Sequence, residues 1–385
     1  MGKRLLFLTN FSSKDELSAP ITSFSRAAFN AAKDLDIEFH INTNNETNVY
    51  QSKNPLCHSH VVEIYRNPFS KEVLTAYKQL TALLRTTHFD VIHCNTPIGG
   101  FLGRVCGAKA GVNTIIYQAH GFHFWRGAPL KNWLFYYPVE KWLAHYTDAL
   151  ITINKEDFEL AKAKMHLRNG GKIYYVPGVG IDMSLYQHTT TSRDAIRQSV
   201  GLGIEDFIII AVGRLDKNKN NRVLIEAASR LPASVHIVFC GDGDEREHLL
   251  RTARTLNCSD RVHFLGNRAD MAELYHMSDC FVSSSHREGL SRSLSEAVAS
   301  GLPCVVSNIR GNTDLIQDGE GGYLCDPNDV DSFASGINRL ARDKDLRNKM
   351  GVANLKTISG FDKATAEDAM KAVYREIFKA IDTKD

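Results

Sequence analysis

Two glutamates, Glu288 and Glu296, flank the turn Gly289-Leu290-Ser291, which lies between a short apolar strand at residues 280–283 and a helix. The start of a helix leaves backbone N–H groups unpaired at its positive end, so this turn is suited to binding a phosphate. Carboxylates are poor phosphate ligands but good acceptors for sugar hydroxyls. The stretch therefore predicts a site for a molecule in which a pyrophosphate joins a sugar to a ribose.

The position of Glu296 within the helix fits such a ligand. It lies about five residues inside the helix, or about 7–8 Å along the axis, so each carboxylate would face one end of the ligand. Its same-face neighbours Ser293 and Ser300 are small and leave room. For a helical glutamate considered alone, a solvated surface charge is the favoured alternative. Gly301, in the left-handed cap position, and Pro303 are expected to end the helix.

The spacing Glu-x7-Glu around Gly-Leu-Ser, followed by Ala-Ser-Gly-Leu-Pro at residues 299–303, resembles the signature of family 4 retaining nucleotide-sugar glycosyltransferases. The resemblance implies the α/β GT-B fold, in which two Rossmann-like parallel-sheet domains face each other and the donor binds in the cleft between them. It also implies that Glu288 holds the sugar hydroxyls as a catalytic residue and that Glu296 holds the ribose. Gly289, Leu290 and Ser291 would bind the diphosphate.

A basic loop, Gly213-Arg214-Leu215-Asp216-Lys217-Asn218-Lys219, follows the predicted strand 207–212. Arginine is a forked donor and lysine a compact charge, so the loop could clamp a pyrophosphate. From these residues alone a solvated basic loop is the favoured interpretation. The resemblance implies instead that Gly213, Arg214 and Lys219 bind the donor, and it leaves open whether Lys217 or Lys219 reaches the diphosphate.

Two further loops follow predicted strands of the second half. Gly241 and Asp242 come after strand 235–240, and by themselves they indicate only a tight turn between a strand and a helix. Arg268 comes after strand 262–265. By resemblance, the first loop lines the donor pocket and the second holds the nucleobase.

In the first half, His120 follows the predicted strand 114–118 and precedes a glycine. A lone histidine is usually structural, but the resemblance implies a catalytic role near the transferred sugar, by hydrogen bonding and charge stabilisation. His123 is the second candidate. With Asn95 and Trp125 it completes the predicted acceptor side. Residues 120–133, HGFHFWRGAPLKNW, are similar to the family members that build bacterial capsular or exopolysaccharide repeat units.

One loop departs from the pattern of many relatives. They carry a glycine-rich loop after the first strand, where this chain has Thr9-Asn10-Phe11-Ser12-Ser13-Lys14. The donor chemistry should not depend on this loop. The acceptor substrates of such relatives are a weaker guide to the acceptor of this chain, because the loop differs.

Composition indicates a soluble two-domain protein. The 385 residues are 43% hydrophobic and 23% charged, and no apolar run approaches the ~20 residues that span a bilayer. The chain start lacks a signal-peptide pattern, and the eight scattered cysteines show no CxxC or zinc-type Cys/His spacing. A cytoplasmic location is expected, with membrane association at the cytoplasmic face.

Charge differs between the halves. Residues 1–180 carry 20 Lys+Arg against 14 Asp+Glu, or +6, whereas residues 181–385 carry 26 against 30, or −4. A basic first half would suit an anionic lipid surface or a pyrophosphate-bearing acceptor. Ordinary variation in composition explains the same difference equally well.

Alternating strands and helices predict two open parallel sheets. The loop Pro177-Gly178-Val179-Gly180 is the predicted boundary, giving domains 1–178 and 179–364. A third strand is predicted at Val61–Tyr65 and a first helix near Ser23–Leu35. Two helices are expected after strand 322–324, and by resemblance the end of the last one, about 365–385, packs on the first domain.

No DxD-like carboxylate pair is placed to hold a metal against a diphosphate, so metal-independent transfer without a cofactor is predicted. The predicted donor is a nucleotide sugar, most simply a UDP-linked N-acetylhexosamine or hexose. The predicted acceptor is a glycan or a polyprenyl-diphosphate-linked sugar, and no nucleic acid is involved. Two alternatives remain: an epimerase or hydrolase of GT-B fold, and a non-catalytic nucleotide-sugar-binding subunit of a polysaccharide assembly complex.

Overall fold

The computed structural model describes residues 2–11, 22, 24–45 and 56–383. Ser12–Lys14 of the glycine-free loop and Ser23, the predicted start of the first helix, lie outside these residues. The described chain forms two compact units, residues 1–180 with 363–385 and residues 181–362.

The first unit contains a seven-stranded parallel sheet in the order β3-β2-β1-β4-β5-β6-β7. Strand β1 is apolar at successive residues because both of its faces are covered: Leu5 and Phe7 point into one buried cluster, Leu6 and Leu8 into the other. The strands are β1 (Arg4–Leu8), β2 (Glu38–Thr43), β3 (Cys57–Val61), β4 (Val91–Cys94), β5 (Thr114–Ala119), β6 (Ala149–Thr152) and β7 (Lys172–Tyr175). The helices that alternate with them are α1 (Arg26–Asp34), α2 (Glu72–Thr86), α3 (Pro97–Ala110), α4 (Leu130–Ala144) and α5 (Lys155–Lys164).

The prediction of a third strand at Val61–Tyr65 is wrong. Strand β3 ends at Val61, and it begins at Cys57 because its residues pair in register with β2, His40 opposite His58. Tyr65 lies outside the strand and forms an isolated bridge with Phe11.

The second unit contains a six-stranded parallel sheet in the order β10-β9-β8-β11-β12-β13. Its strands are β8 (Phe207–Val212), β9 (Val235–Cys240), β10 (Val262–Gly266), β11 (Cys280–Ser283), β12 (Cys304–Ser307) and β13 (Gly322–Cys325). Its helices are α6 (Ser184–Gln187), α7 (Arg193–Ser199), α8 (Asn221–Ser229), α9 (Arg246–Thr255), α10 (Met271–Met277), α11 (Arg292–Ala299), α12 (Asn312–Leu315), α13 (Val330–Arg342) and α14 (Lys344–Ile358). Strands β8 and β11 are neighbours, so the loops that follow them meet at one edge of the sheet.

Three α-helices, not two, follow β13 among the described residues. Asp343 divides α13 from α14, because its extended backbone ends the first and its carboxylate accepts a hydrogen bond from Leu346 N of the second (2.9 Å). The last helix, α15 (Lys363–Asp382), returns to the first unit. Its Tyr374 hydroxyl lies 2.6 Å from Nδ1 of His93 in β4, and both side chains are buried. No helix among the described residues is long and apolar enough to cross a membrane.

Candidate functional site

The turn at residues 289–291 lies at the start of α11, as the sequence predicts. Ser291 is the N-cap, and its hydroxyl accepts a hydrogen bond from Leu294 N (3.3 Å). Gly301 has a φ of +72° and ends the helix. Gly311 (φ +81°) lies against Gly289, since a Cβ there would meet the Gly289 carbonyl oxygen at 2.3 Å. The turn is therefore held in place by the loop after β12.

Lys219 and Glu288 form the central contact of this region. The Lys219 Nζ atom lies 2.7 Å from Oε1 of Glu288, and both side chains are largely buried. The contact depends on two loops that are far apart in the sequence. His286 N donates to the Asn218 carbonyl (2.8 Å), and the Asn218 amide donates to the Arg287 carbonyl (3.1 Å). The structure therefore distinguishes the two lysines, because Lys217 is exposed and Lys219 lies beside the glutamate.

Glu296 is buried, with 7% of its surface exposed, so it is not a solvated helix charge. Its carboxylate accepts hydrogen bonds from the Tyr275 hydroxyl (3.1 Å) and from Nε of Arg292 (2.9 Å). Burial, together with this carboxylate, raises the pKa of the neighbouring Tyr186 to about 12. The carboxylate is thus held in a fixed position at the edge of the sheet.

A second group of predicted residues surrounds a pocket of about 430 Å³. Arg214 and Arg268 belong to its wall. The Arg214 side chain is two-thirds exposed and only loosely paired with carboxylates, 4.0 Å from Asp216 and 3.6 Å from Asp244. Arg268 instead forms a bidentate pair with Asp270 (2.8 and 2.5 Å). The full lining is Val212, Gly213, Arg214, Cys240, Gly241, Asp242, Asn267, Arg268 and Met271.

Gly213 and Gly241 are required where two strand ends approach each other. Gly241 has a φ of +138°, and a Cβ there would lie 2.1 Å from the Gly213 carbonyl oxygen. A Cβ on Gly213 (φ +145°) would lie 2.9 Å from Cε of Lys219. The absence of side chains lets Lys219 extend across the end of β8.

In the first unit, His120 and Asn95 are in contact. Asn95 is buried after β4, and its Oδ1 lies 2.7 Å from Nε2 of His120, which follows β5. The other ring nitrogen, Nδ1, is buried and has no hydrogen-bond partner among the described residues. Burial lowers the pKa of His120 to about 4, so the imidazole is neutral at neutral pH.

His123 and Trp125 are positioned by α4. The His123 ring packs against Tyr136 with a centroid distance of 4.8 Å, and the Trp125 carbonyl accepts a hydrogen bond from Nε1 of Trp133 (3.2 Å). Helix α4 itself is fixed by the buried Arg104, whose guanidinium binds Glu140 (2.9 Å) and covers the ring of Tyr117 (3.9 Å).

Four side chains that support the site are absent from the sequence predictions. Tyr275 and Arg292 hold Glu296, Asn218 joins the two loops, and the buried Arg310 donates through Nε to the Glu288 carbonyl (3.1 Å). Only Arg292 carried a sequence signal, since it lies four residues before Glu296 on one helix face. The other three act across elements that are distant in the chain.

Two family models match the chain. Residues 192–357 match "Glycosyl transferases group 1", and residues 22–154 match "Glycosyl transferase 4-like". EpsD of Bacillus subtilis (strain 168), which carries a provisional glycosyltransferase name, is 36% identical over 100% of this chain and 99% of its own length. An Escherichia coli protein, UDP-Gal:alpha-D-GlcNAc-diphosphoundecaprenol alpha-1,3-galactosyltransferase, is 31% identical over 79% of each chain.

Among solved structures, HepE from Anabaena in complex with UDP and glucose is similar, with a TM-score of 0.75. The match covers 97% of this chain and 100% of HepE at 20% identity. It confirms the predicted GT-B fold, with two parallel sheets and their helices.

Proposed function

Because the chain belongs to the family 4-type glycosyltransferases, we propose that it transfers a hexose or N-acetylhexosamine from a UDP-sugar to a glycan or lipid-linked acceptor, with retention of anomeric configuration. The process it serves would be bacterial surface polysaccharide synthesis. The observation that carries the proposal is the Lys219–Glu288 contact beside the helix turn, with the buried Glu296 on the same helix. UDP is present in the HepE complex, and the E. coli relative is named for a UDP-sugar donor and a diphosphoundecaprenol-linked acceptor.

The residues of the second unit divide the work on the donor. Lys219 and the backbone N–H groups of residues 289–291 stabilise negative charge on the leaving diphosphate. Glu288 accepts hydrogen bonds from hydroxyls of the transferred sugar, and Glu296 accepts hydrogen bonds from the ribose hydroxyls. Arg214 is exposed and only loosely paired, so its guanidinium can turn toward a phosphate at little cost.

The leaving group is neutralised in this proposal without a metal ion. Lysine, arginine and a helix N-terminus supply the positive charge that a divalent cation provides in other transferases. Transfer should therefore proceed in EDTA at an unchanged rate. Loss of transfer in EDTA that magnesium or manganese restores would overturn this part.

On the acceptor side, His120 is neutral and presents an unpaired Nδ1 when its Nε2–H donates a hydrogen bond to Oδ1 of Asn95. A ring nitrogen in this state accepts a hydrogen bond from a hydroxyl. We assign it to hold a hydroxyl of the reacting sugars, next to His123 and Trp125 on the same loop.

The first test is thermal unfolding of the purified protein in EDTA with UDP, GDP, ADP and their sugars. A ligand at 100 times its Kd adds about 2.7 kcal/mol, which is a clear shift. A shift with uridine nucleotides that Glu296→Ala strongly reduces would support the donor assignment. A shift with guanosine or adenosine nucleotides alone would refute the choice of UDP.

Two other functions make different predictions. A nucleotide-sugar hydrolase or epimerase would convert the donor without any acceptor, whereas a transferase shows turnover only when a glycan acceptor is present. A non-catalytic binding subunit would bind the donor saturably, but no acceptor extract would produce turnover. The presence of Lys219, both glutamates and His120 argues against the non-catalytic subunit.

Helix α4 supports action at a membrane surface. Its exposed side is an apolar stripe of Leu130, Leu134, Phe135, Val139 and Trp142, each 46–73% exposed. The exposed Lys131 and Lys141 lie on the same helix, and an aromatic and basic helix face suits an anionic lipid surface. The opposite side of α4 holds the loop of His123, so a bilayer under the stripe would bring lipid-linked acceptors close to that loop.

Vesicle sedimentation tests the membrane contact. The protein should bind phosphatidylglycerol vesicles and not phosphatidylcholine vesicles, and Leu134→Ser with Phe135→Ser should reduce binding at least 10-fold. Val352→Ser in the second unit, which is 69% exposed, is the matched control and should change nothing. If the stripe variant bound vesicles as well as the wild type does, the membrane contact would be refuted. If the wild type self-associated and the stripe variant did not, a second copy of the chain would cover the helix instead.

A further inference from the structure

A cluster of polar residues outside the proposed site lies on strands β2 and β3 of the first unit. Glu38 and His40 alternate along β2, and His58 and His60 alternate along β3. Since His40 is directly opposite His58 in the parallel register, all four side chains share one face of the sheet. The ring centroids of His58 and His60 lie 4.7 and 5.1 Å from that of His40.

Three of these side chains converge on one point. Glu38, His40 and His58 each offer a ligand atom, and these atoms all lie within 4.8 Å of one another. Ligands of a tetrahedral zinc ion lie about 3.3 Å apart, as follows from Zn–N distances of about 2.0–2.1 Å. His58 is exposed and Glu38 is only partly buried, so small rotations of these two close the difference.

His40 already has the geometry of a metal ligand. It is 6% exposed, its Nδ1 lies 2.8 Å from Nε2 of His60, and its own Nε2 is buried with no hydrogen-bond partner. Oε2 of Glu38 lies 3.6 Å from that nitrogen, beyond hydrogen-bond distance. A metal-bound histidine characteristically donates its other N–H to a fixed acceptor, which leaves a lone pair for the ion. Here His60 is the acceptor.

The surroundings complete such a site. The Phe89 ring packs edge-on against His40 (5.1 Å) and His60 (6.2 Å), which excludes water from the inner side. The Arg4 guanidinium donates to Glu38 Oε2 (2.7 Å) and orients the carboxylate. The exposed His58 leaves an entry path for the ion.

We propose that Glu38, His40 and His58 form a zinc-binding site that joins strands β2 and β3, with His60 as the residue that orients His40. Imidazole nitrogens with one carboxylate oxygen are ligands that zinc prefers. The ion would be structural, because Glu38 begins β2 whereas Asn95 and His120 follow the carboxyl ends of β4 and β5. Water would take the fourth position that the three protein ligands leave open. The proposal does not depend on the donor assignment.

The test uses untagged full-length protein, stripped with EDTA and then desalted. Titration with zinc sulfate by calorimetry should show one ion per chain, and zinc should raise Tm by several degrees. His58→Gln should bind zinc at least 100-fold more weakly while the metal-free Tm stays near that of the wild type, because His58 is exposed. His60→Gln should weaken binding about 10–100-fold.

A second stacked histidine pair provides the matched control. His236 and His263 lie on neighbouring strands β9 and β10, with rings 5.2 Å apart and Asp206 beside them, but their ligand atoms do not converge as closely. His263→Gln should bind zinc as the wild type does. Absence of stoichiometric zinc binding by the wild type, or full binding by His58→Gln, would overturn the proposal. The UDP-induced shift of stripped protein reports separately on the donor site.

Discussion

Replacing Glu296 with alanine tests the donor site directly. The carboxylate would accept a charge-assisted hydrogen bond from a ribose hydroxyl, worth about 1.5–3 kcal/mol. Its loss should weaken UDP binding about 100-fold, which corresponds to about 2.7 kcal/mol. At a UDP concentration of 100 times the wild-type Kd, the stabilisation by UDP falls from about 2.7 to about 0.4 kcal/mol.

The effect of this change on folding is expected to be smaller. The Tyr275 hydroxyl keeps the Ser293 carbonyl as a second acceptor (3.2 Å), and Arg292 is 62% exposed and stays solvated. The free energy of unfolding should therefore fall by only about 1–2 kcal/mol. The variant remains folded, and its UDP response can be measured.

Thermal unfolding with and without UDP is the assay. For a unit the size of residues 181–362, about 2–4 °C per kcal/mol predicts a wild-type shift of about 5–11 °C and a variant shift of about 1–2 °C. Glu226→Ala is the control, because Glu226 pairs with Arg222 on α8 at the same four-residue spacing. A folded Glu296→Ala protein with the full UDP shift would refute the assignment of Glu296 to the ribose.

Three further predictions concern other parts of the molecule. Lys219→Met should lower the transfer rate about 100-fold in initial-rate assays, while Lys217→Met, at an exposed position, should keep a rate near that of the wild type. An equal loss of rate in both variants would contradict the Lys219–Glu288 contact. Gly241→Ala should lower the free energy of unfolding in urea by about 2–3 kcal/mol more than Gly319→Ala, because both have positive φ but only the first meets a carbonyl oxygen at 2.1 Å. Burial lowers the pKa of His120 from 6.5 to about 4, so the unfolded chain binds a proton first and stability falls as pH drops from 6.5 to 4. This loss of stability, measured by urea unfolding at several pH values, should be smaller in His120→Gln than in the exposed control His166→Gln. Identical pH profiles of the two variants would refute the role of His120 burial.

Local sequence was sufficient for most elements of the fold. Apolar runs such as residues 207–212 and 235–240 match their strands, and the strand predicted at residues 280–283 has the bounds of β11. These predictions succeed because burial on both faces of a parallel sheet makes a strand continuously apolar. The third strand was misplaced because His58 and His60 hide its apolar character, and its position is decided by pairing with β2.

Residues close together in the chain were sufficient to predict the helix turn between Glu288 and Glu296 and the glycine that ends the helix, because both depend on backbone conformation within a few residues. The contact of Glu288 with Lys219 rather than Lys217 could be recognised only in the folded chain, since it requires strands β8 and β11 to be neighbours. The same holds for the burial of Glu296 under Tyr275 and for the approach of His40 to His58. Each of these contacts joins residues that are distant in the chain. The order and register of the strands bring such residues together, and both are set by the packing of the whole unit.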